Sequence, residues 1–595
     1  MRSSLLVLLV VSGCATTRGI APWTEVKGAP ADATVRTTAQ GELVGFVERK
    51  GNHAWLGIPY AAKPERWRAP KPAEPWSGRR EATRYGALCP QLNGPLGGAK
   101  DTGVVAGSED CLTLSIFAPA LTADEARSAK RPVMFWIHGG GNTIGTGNVY
   151  GFARNLALKH GVIIVNVNYR LGVLGWFHHP ALLGPELSPE DASGNYGTLD
   201  LIAALKWVNQ NIEAFGGDPA NVTVFGESAG GFNTFSLLAS PLAHGLFHRA
   251  AIQSGVPGSV GLQQAWHYVD DAQPGVKGSS SEVLVAQVLL DGKAKTREDA
   301  KQVISGMSAD QLAAYLRGRT PEQLISPFKG PGFGMYDAPA LLRDGHVLPP
   351  GDVTLALEHS KVPVLLGTNL DEFKLFMVGN PHYVSRFLGL RIKDEVAYER
   401  DSRFVTDVWR AMGVDAPVEA FRKAGAPVFA YRFDWADEPK SFFADVPKLL
   451  GAAHGLEIGF MFDDEDSEFD PFGVNTKENE AQRVKLARAM SSYWVQFART
   501  GNPEQGVDGS LPTWEQAGAE HRFIVFDTDA KGGLRMEQGV LTLDSVEDAM
   551  WKNPAFTSDP ALCQRAKGVF KDFAGEVGAW TAEREKRFAE RCPKH

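Results

Sequence analysis

The sequence has no excess of positive charge: 61 lysines and arginines stand against 69 aspartates and glutamates, a formal net charge of −8. That balance offers no basic surface for nucleic acid. Tandem repeats, low-complexity tracts and a Ser/Gly/Pro-rich linker through the middle are also missing, which argues against a solenoid or a string of separate domains. The 44% hydrophobic content is spread evenly, so one large domain is expected from a length that several average domains would fill. Cysteine is scarce, with five in 595 residues. The apolar stretch near the start, Leu5 to Val11, is too short to cross a hydrocarbon core of about 30 Å, which disfavours a transmembrane anchor there.

The chain is organised around Val222-Thr223-Val224-Phe225-Gly226-Glu227-Ser228-Ala229-Gly230-Gly231. Four β-favouring residues run into a glycine-flanked serine, and a helix-compatible segment from Phe232 to Leu238 follows, so the stretch reads strand, sharp turn, helix. A serine in such a turn takes strained backbone angles. The flanking Gly226 and Gly230 then sit where a Cβ would clash with the neighbouring strand and helix. The hydroxyl of Ser228 is lifted clear of the backbone and becomes the candidate nucleophile.

Upstream, Arg131 to Ile137 is an apolar run of strand length that ends in His138-Gly139-Gly140-Gly141. Glycines at the end of a strand let backbone N–H groups approach a ligand with no side chain in the way. Val162 to Asn168 reads as another buried strand, Leu199 to Ala214 as a helix with an apolar stripe of Leu201, Ala204, Leu205, Val208 and Ile212, and Ala250 to Gln253 as the strand after the elbow. Strands alternating with helices at glycine turns indicate a mostly parallel sheet covered on both faces. Leu43 to Val47 and Ala54 to Ile58 are expected to form a small N-terminal sheet, and residues 256–355, richer in helix formers, to form lid-like helical insertions. His178 and His179 are adjacent without a spaced set of partners and read as loop residues, not metal ligands.

A serine hydroxyl is a poor nucleophile, so Ser228 needs a general base, and the base needs an orienting acid. Val362-Pro363-Val364-Leu365-Leu366-Gly367-Thr368-Asn369-Leu370-Asp371-Glu372 is a buried strand ending in two carboxylates, and position alone leaves Asp371 and Glu372 as equal contenders for the acid. Gly451-Ala452-Ala453-His454-Gly455-Leu456-Glu457-Ile458 places a histidine among small residues with room to rotate. Imidazole titrates near neutrality and suits a base that later returns the proton. The acidic run Asp463 to Asp470 lacks EF-hand spacing and reads as a solvated loop. Asn479 to Arg499 reads as a long amphipathic helix.

Taken in order, Gly57-Ile58-Pro59-Tyr60-Ala61, Cys89-Pro90-Gln91, Ser108-Glu109-Asp110-Cys111-Leu112, His138-Gly139-Gly140-Gly141, the Ser228 elbow, Gly367-x-Asn369-x-Asp371-Glu372, His454-Gly455-x-Glu457-Ile458 and Thr500-Gly501-Asn502-Pro503 resemble the type-B carboxylesterases, the cholinesterase and carboxylesterase branch of the α/β-hydrolases. The resemblance runs from about residue 40 to about 530. It implies an α/β-hydrolase fold: a large, mostly parallel central sheet with helices on both faces, a small N-terminal sheet and helical insertions around an active-site gorge. It assigns Ser228 as nucleophile, Glu372 as acid and His454 as base, with the N–H groups of Gly140, Gly141 and Ala229 as the oxyanion hole. Glu227, Ser254 and Glu457 are its supporting residues, and His138 belongs to the scaffold of its loop. Where the family often carries an aromatic after the glycines, this chain has Asn142. No metal or organic cofactor is required.

The N-terminus resembles a bacterial lipoprotein signal: Arg2, the apolar Leu5 to Val11, then Val11-Ser12-Gly13-Cys14. That resemblance implies cleavage before Cys14, lipidation of its thiol and a protein exported and held by lipid on a bacterial membrane, at the outer membrane or the periplasmic face, or else released outside the cell. Setting Cys14 aside leaves Cys89, Cys111, Cys563 and Cys592, for which three pairings exist. Proximity in sequence favours Cys89 with Cys111 and Cys563 with Cys592, and in the type-B family the first pair closes a surface loop beside the gorge. One continuous helix from 563 to 592 would separate its ends by about 43 Å, whereas bonded cysteines have Cα atoms within about 7 Å. The tail must therefore fold back, with Gly575 and Gly578 as the expected breakers. The expected organisation is a signal at 1–13, a tether at 14–34, a catalytic domain at 35–550 and a helical tail at 551–595.

The expected activity is hydrolysis of a small-molecule carboxylic ester. An amidase or lactone hydrolase would use the same machinery. A non-catalytic, cholinesterase-like binding protein is the alternative from another class, but those members lose the serine or its partners, and here all are present. A cholinesterase is disfavoured because the family's choline subsite places an indole in the Cys-bridged loop for a cation–π contact, and residues 90–110 contain no aromatic. Oligomeric state is not encoded in any of these motifs.

Overall fold

A computed structural model describes residues 26–94, 103–328, 335–337, 341–387, 389–576 and 579–593. The signal segment, Cys14, most of the tether and Gly578 lie outside the described residues. The described chain falls into two compact units, one built from Pro22–His248 and Ser259–Gly351 and the other from Arg249–Gly258 and Asp352–His595.

In the first unit six strands pair into one sheet: β1 (Phe46–Val47), β2 (His53–Pro59), β3 (Thr113–Ala118), β4 (Arg131–Ile137), β5 (Ile163–Val167) and β6 (Gly217–Glu227), in the order β6-β4-β5-β3-β2-β1. β6, β4 and β5 are parallel, and the rest of this order is antiparallel. β5 is buried along its whole length and β4 over its last five residues, which is why both read as continuous apolar runs. Helices α1 (Arg154–His160), α2 (Tyr196–Asn211) and α3 (Ala229–Ala239) pack against these strands.

Two expectations change here. The stretch from Leu43 to Val47 is split: Gly41–Val44 joins Val35–Thr38 and Arg79–Glu81 in a small three-stranded sheet, whereas Phe46–Val47 and His53–Pro59 enter the large one. The switch falls at Gly45, where a Cβ would lie 2.1 Å from the Ala54 carbonyl oxygen. The helix expected from Leu199 begins at Tyr196, and its last turn tightens into a 3-10 turn, Ile212–Phe215, closed by Gly216 at φ +96°. The segment read as helical insertions contains helices at Leu262–Trp266, Ser280–Leu290, Arg297–Ser305, Ala309–Arg317 and Pro321–Ile325.

The second unit carries β7 (Arg249–Gln253), β8 (Val364–Asn369), β9 (Val428–Phe433), β10 (Arg522–Phe526) and β11 (Arg535–Gln538), in that order and parallel except for the last pair. Its main helices are α4 (Glu395–Arg410), α5 (Glu480–Thr500), α6 (Leu543–Lys552), α7 (Pro560–Glu576) and α8 (Ala582–Arg591). α5 lies within a residue of its expected span. Its Tyr493 and Trp494 pack on Trp514 and Phe526 in an aromatic core. The tail does fold back, and both disulfides form: Cys89–Cys111 and Cys563–Cys592, the latter with Cα atoms 5.6 Å apart. Gly575 is not the breaker, because α7 continues through it to Glu576; a glycine there costs a helix only about 1 kcal/mol, which the tail's disulfide and aromatic packing outweigh.

The acidic run is solvated only in part: Asp466 is exposed and Glu465, Glu468 and Asp470 are half-buried. Asp463 and Asp464 are buried. Asp464 accepts from the backbone N–H groups of Glu468 (3.1 Å) and Phe469 (2.7 Å), and Asp470 from those of Val474 (2.8 Å) and Asn475 (3.0 Å). These carboxylates fold their own loop by capping it, a role that charge alone does not reveal. His179 acts similarly, its Nδ1 accepting from the Ala181 N–H at 3.1 Å.

Glu438, in the loop after β9, is 5% exposed, and among the described residues neither carboxyl oxygen has a hydrogen-bond partner. Burial, aided by the charge of Asp371, pushes its carboxyl up to about 8. Since the folded state holds this proton between the ordinary carboxylate range and pH 8, the wild type loses stability as pH rises through that window. Glu438→Gln is therefore expected to melt like the wild type at pH 5 and above it at pH 9, with an advantage on the order of 4 kcal/mol. Thermal unfolding at the two pH values measures it, and equal gaps at both would refute the assignment.

Candidate active site

The register of the first unit brings the serine and the glycine loop together. Gly226 pairs with Ile137 across β6 and β4, so Ser228 and His138-Gly141 leave the same end of adjacent parallel strands. Ser228 caps α3 at φ 57°, ψ −122°, a conformation that costs a non-glycine residue roughly 1–3 kcal/mol. A Cβ on Gly226 would lie 2.6 Å from the Gly230 carbonyl carbon, and one on Gly230 would lie 2.0 Å from the Ile137 carbonyl oxygen. Both glycines are thus required by close backbone approach. Ala229 opens α3, where the first N–H groups have no acceptor within their own helix.

The glycine loop passes beside the nucleophile: a Cβ on Gly139 would sit 3.0 Å from Ser228 Cβ and 2.7 Å from Glu227 Oε2. Gly140 and Gly141 have φ +108° and +61°, and the Gly140 carbonyl accepts from Thr143 and Ile144, both at 3.1 Å. His138 is buried against Tyr169, ring centroids 4.4 Å apart, and burial lowers its pKa to about 4. It is a neutral strut whose own carbonyl accepts from the Tyr169 hydroxyl at 2.7 Å. Asn142, at φ 57°, accepts from Asn233 Nδ2 on α3 at 2.8 Å, tying the loop to the elbow helix.

Gln91 belongs to the Cys89-Pro90-Gln91 motif, which by itself assigns it no role. Its side chain accepts from the Gly145 N–H at 2.8 Å and donates to the Gly145 carbonyl at 2.9 Å. The Cys89–Cys111 loop thereby clamps the far end of the glycine loop. The motif was the only available signal, because the partner lies 54 residues away.

The second unit holds the acid and the histidine. Glu372, fully buried at the end of the loop after β8, bonds through Oε2 to His454 Nδ1 at 2.6 Å. Its Oε1 accepts from the Ser254 hydroxyl (2.5 Å) and the Asn369 backbone N–H (2.7 Å). Asp371 turns the other way: it accepts from the Ala452 N–H at 3.1 Å and pairs with Lys374 at 3.0 Å, so it braces the loop that carries His454. Glu457 is buried and accepts from Gln253 Nε2 (3.2 Å) and Asn369 Nδ2 (2.6 Å). Burial, reinforced by the nearby Glu372 charge, raises its pKa. Asn369 also donates to the Ala453 carbonyl at 2.8 Å, so Glu457 orients the amide that holds the histidine loop.

Sequence reasoning missed two aromatic rings. Trp409 and Phe376 both pack against His454 from one side, with centroids 4.9 and 5.6 Å from the imidazole and 6.3 Å from each other. The Trp409 indole N–H donates to the Ser254 carbonyl at 3.1 Å. Ser254 has φ +50°, and a Cβ on Gly413, just past α4, would lie 2.2 Å from the Gly255 carbonyl oxygen. That close approach brings Trp409 onto the Ser254 turn. On its amphipathic helix, 45 positions before His454, Trp409 reads from sequence as ordinary core. Of the expected site residues, Gly140, Gly141, Glu227, Ser228 and Ala229 thus belong to the first unit and Ser254, Glu372, His454 and Glu457 to the second.

The Carboxylesterase family model matches residues 32–394 and 389–542. The chain is 36% identical over 495 residues to a para-nitrobenzyl esterase of Bacillus subtilis (strain 168), covering 78% of this chain and 90% of that one. It is 34% identical over 532 residues to a fumonisin B1 esterase of Sphingopyxis macrogoltabida, covering 83% and 89%. A solved structure of a PNB esterase superposes with a TM-score of 0.64 at 29% identity, over 85% of this chain and 97% of that one. With a glycine-braced serine elbow, a hydrogen-bonded Glu–His pair and a match across most of its length, the chain belongs to the carboxylesterase family, has the α/β-hydrolase fold and is a carboxylic-ester hydrolase.

Proposed function

We propose that Ser228, His454 and Glu372 act as nucleophile, base and orienting acid in cleaving esters through an acyl-serine intermediate. The observation that carries the assignment is the 2.6 Å bond between Glu372 and His454 Nδ1. It commits one ring nitrogen to the carboxylate and leaves the other for proton transfer. In acylation, the Ser228 oxygen bonds to the ester carbonyl carbon while its proton passes to His454. The tetrahedral oxyanion is held by the N–H groups of Gly140, Gly141 and Ala229, and the alkoxide leaves with the proton from His454. Water, deprotonated by His454, then repeats the cycle on the acyl-enzyme and releases the acid.

The strain at Ser228 and the side-chain-free backbone of Gly139–Gly141 support this reading, because both present reacting groups without side-chain obstruction. Export and lipid anchoring through Cys14 form the second part of the proposal, supported by the residue pattern of the first fourteen positions. Mass spectrometry of the mature N-terminus tests it, since an unmodified Met1 would overturn it. The catalytic proposal is tested with p-nitrophenyl esters from acetate to decanoate. Hydrolysis that depends on Ser228 supports it, and cleavage of amides alone would assign the same residues to an amidase.

A further inference from the structure

The family match ends at residue 542, yet the chain continues into four helices, α6, the short Pro554–Ser558, α7 and α8, that are firmly attached. Cys563 on α7 is bonded to Cys592 beyond α8. Arg584 of α8 bonds to Glu547 (2.8 Å) and Asp544 (2.5 Å) of α6. Phe404 of α4 packs against Phe556 and Phe570, with centroids 5.2 and 5.5 Å away. One turn further along α7, Phe573 meets Trp409, the same ring that lies on His454, at 5.7 Å. A line of contacts therefore runs from the disulfide-closed tail through Phe573 and Trp409 to the imidazole, and through the indole N–H to Ser254 and Glu372.

We infer that the C-terminal helical hairpin is a positioning element for the reaction, with Phe573 acting through Trp409 to hold the His454 ring in the orientation that catalysis needs. The inference rests on the triad reading above. The hydrogen bond from His454 Nδ1 to Glu372 acts as a pivot, about which the ring can still tilt. The Trp409 and Phe376 rings, tilted 47° and 40° to the imidazole and only 6.3 Å from each other, pack against one side of it and restrict that freedom, and misplacing a reacting group by about 1 Å costs about 10²-fold in rate. Trp409 is almost fully buried and Phe573 half-buried, so the phenyl ring is a cover over Trp409 and not the centre of a large core. Its removal is expected to loosen the wall with a modest effect on folding.

The test compares wild type, Phe573→Ala and Phe573→Tyr on p-nitrophenyl butyrate. An endpoint count of competent serines by a fluorophosphonate label is used to express kcat per active site. The expected result is a kcat for Phe573→Ala about tenfold lower with KM within twofold of wild type, and at least half of the wild-type kcat restored in Phe573→Tyr, which keeps the ring. A kcat per labelled site equal to wild type in Phe573→Ala overturns the inference while leaving the triad intact. So does a loss that appears only as fewer labelled sites, since that marks a purely structural ring. A wild-type protein that neither cleaves esters nor takes the label overturns the triad reading and this inference with it.

Discussion

Ser228→Ala is expected to lower kcat on p-nitrophenyl esters by about 10³- to 10⁶-fold, the range seen when a triad nucleophile is removed. The reason lies in what the substitution leaves in place. Alanine keeps the Cβ and tolerates the φ of 57° no worse than serine does, so the elbow, the register of Gly226 with Ile137 and the N–H groups of the glycine loop persist. Only the hydroxyl is lost. Without it no acyl-enzyme forms, and what remains is water attack in a site that still binds ester and stabilises an oxyanion. Thermal melting close to that of wild type, together with the loss of turnover, identifies the effect as chemical. Retention of more than about one-hundredth of the activity would be incompatible with covalent catalysis at this residue.

Glu372→Gln is expected to cost about 10⁴ in kcat, as an amide does when it replaces a triad carboxylate. The structure shows why the amide has one orientation. The Oε1 position receives two donors, the Ser254 hydroxyl and the Asn369 backbone N–H, so the glutamine oxygen must go there. Its NH₂ then faces His454 Nδ1, where the carboxylate oxygen stood at 2.6 Å. Two donors cannot share that line. His454 must therefore present Nδ1 as an acceptor and carry its proton on Nε2, the tautomer that cannot take a proton from serine. Burial of the site prevents water from relieving the conflict. Ester kinetics and melting curves of the variant check it, and a fall in kcat below tenfold would show that Glu372 does not set the tautomer.

Much of the site is legible in the sequence. The serine elbow, the glycine loop and the histidine among small residues are local patterns, because each depends on backbone conformations that only glycine or a short run of small residues permits. The strand limits of Arg131–Ile137 and the span of α5 were legible for a related reason: continuous apolar runs and a sustained 3.6-residue stripe are strong local signals. The choice between Asp371 and Glu372 was not local. It depends on which carboxylate meets the histidine 82 positions further along the chain, and only the family resemblance separated them in advance.

By itself, the sequence determined the kind of chemistry, the strand and helix rhythm, and the fold-back of the tail, which bonded cysteines 29 positions apart demand. It misjudged Gly575 and the acidic loop because helix propensity and charge are weak terms, overridden by a disulfide, aromatic packing and four backbone caps. Tertiary structure alone decided that Gln91 clamps Gly145, that Asp371 braces while Glu372 bonds, and that Trp409 and Phe376 pack against the imidazole. Each of these is a contact between residues distant in sequence, formed where strands end and helices cross, and no local periodicity encodes which side chains will meet there.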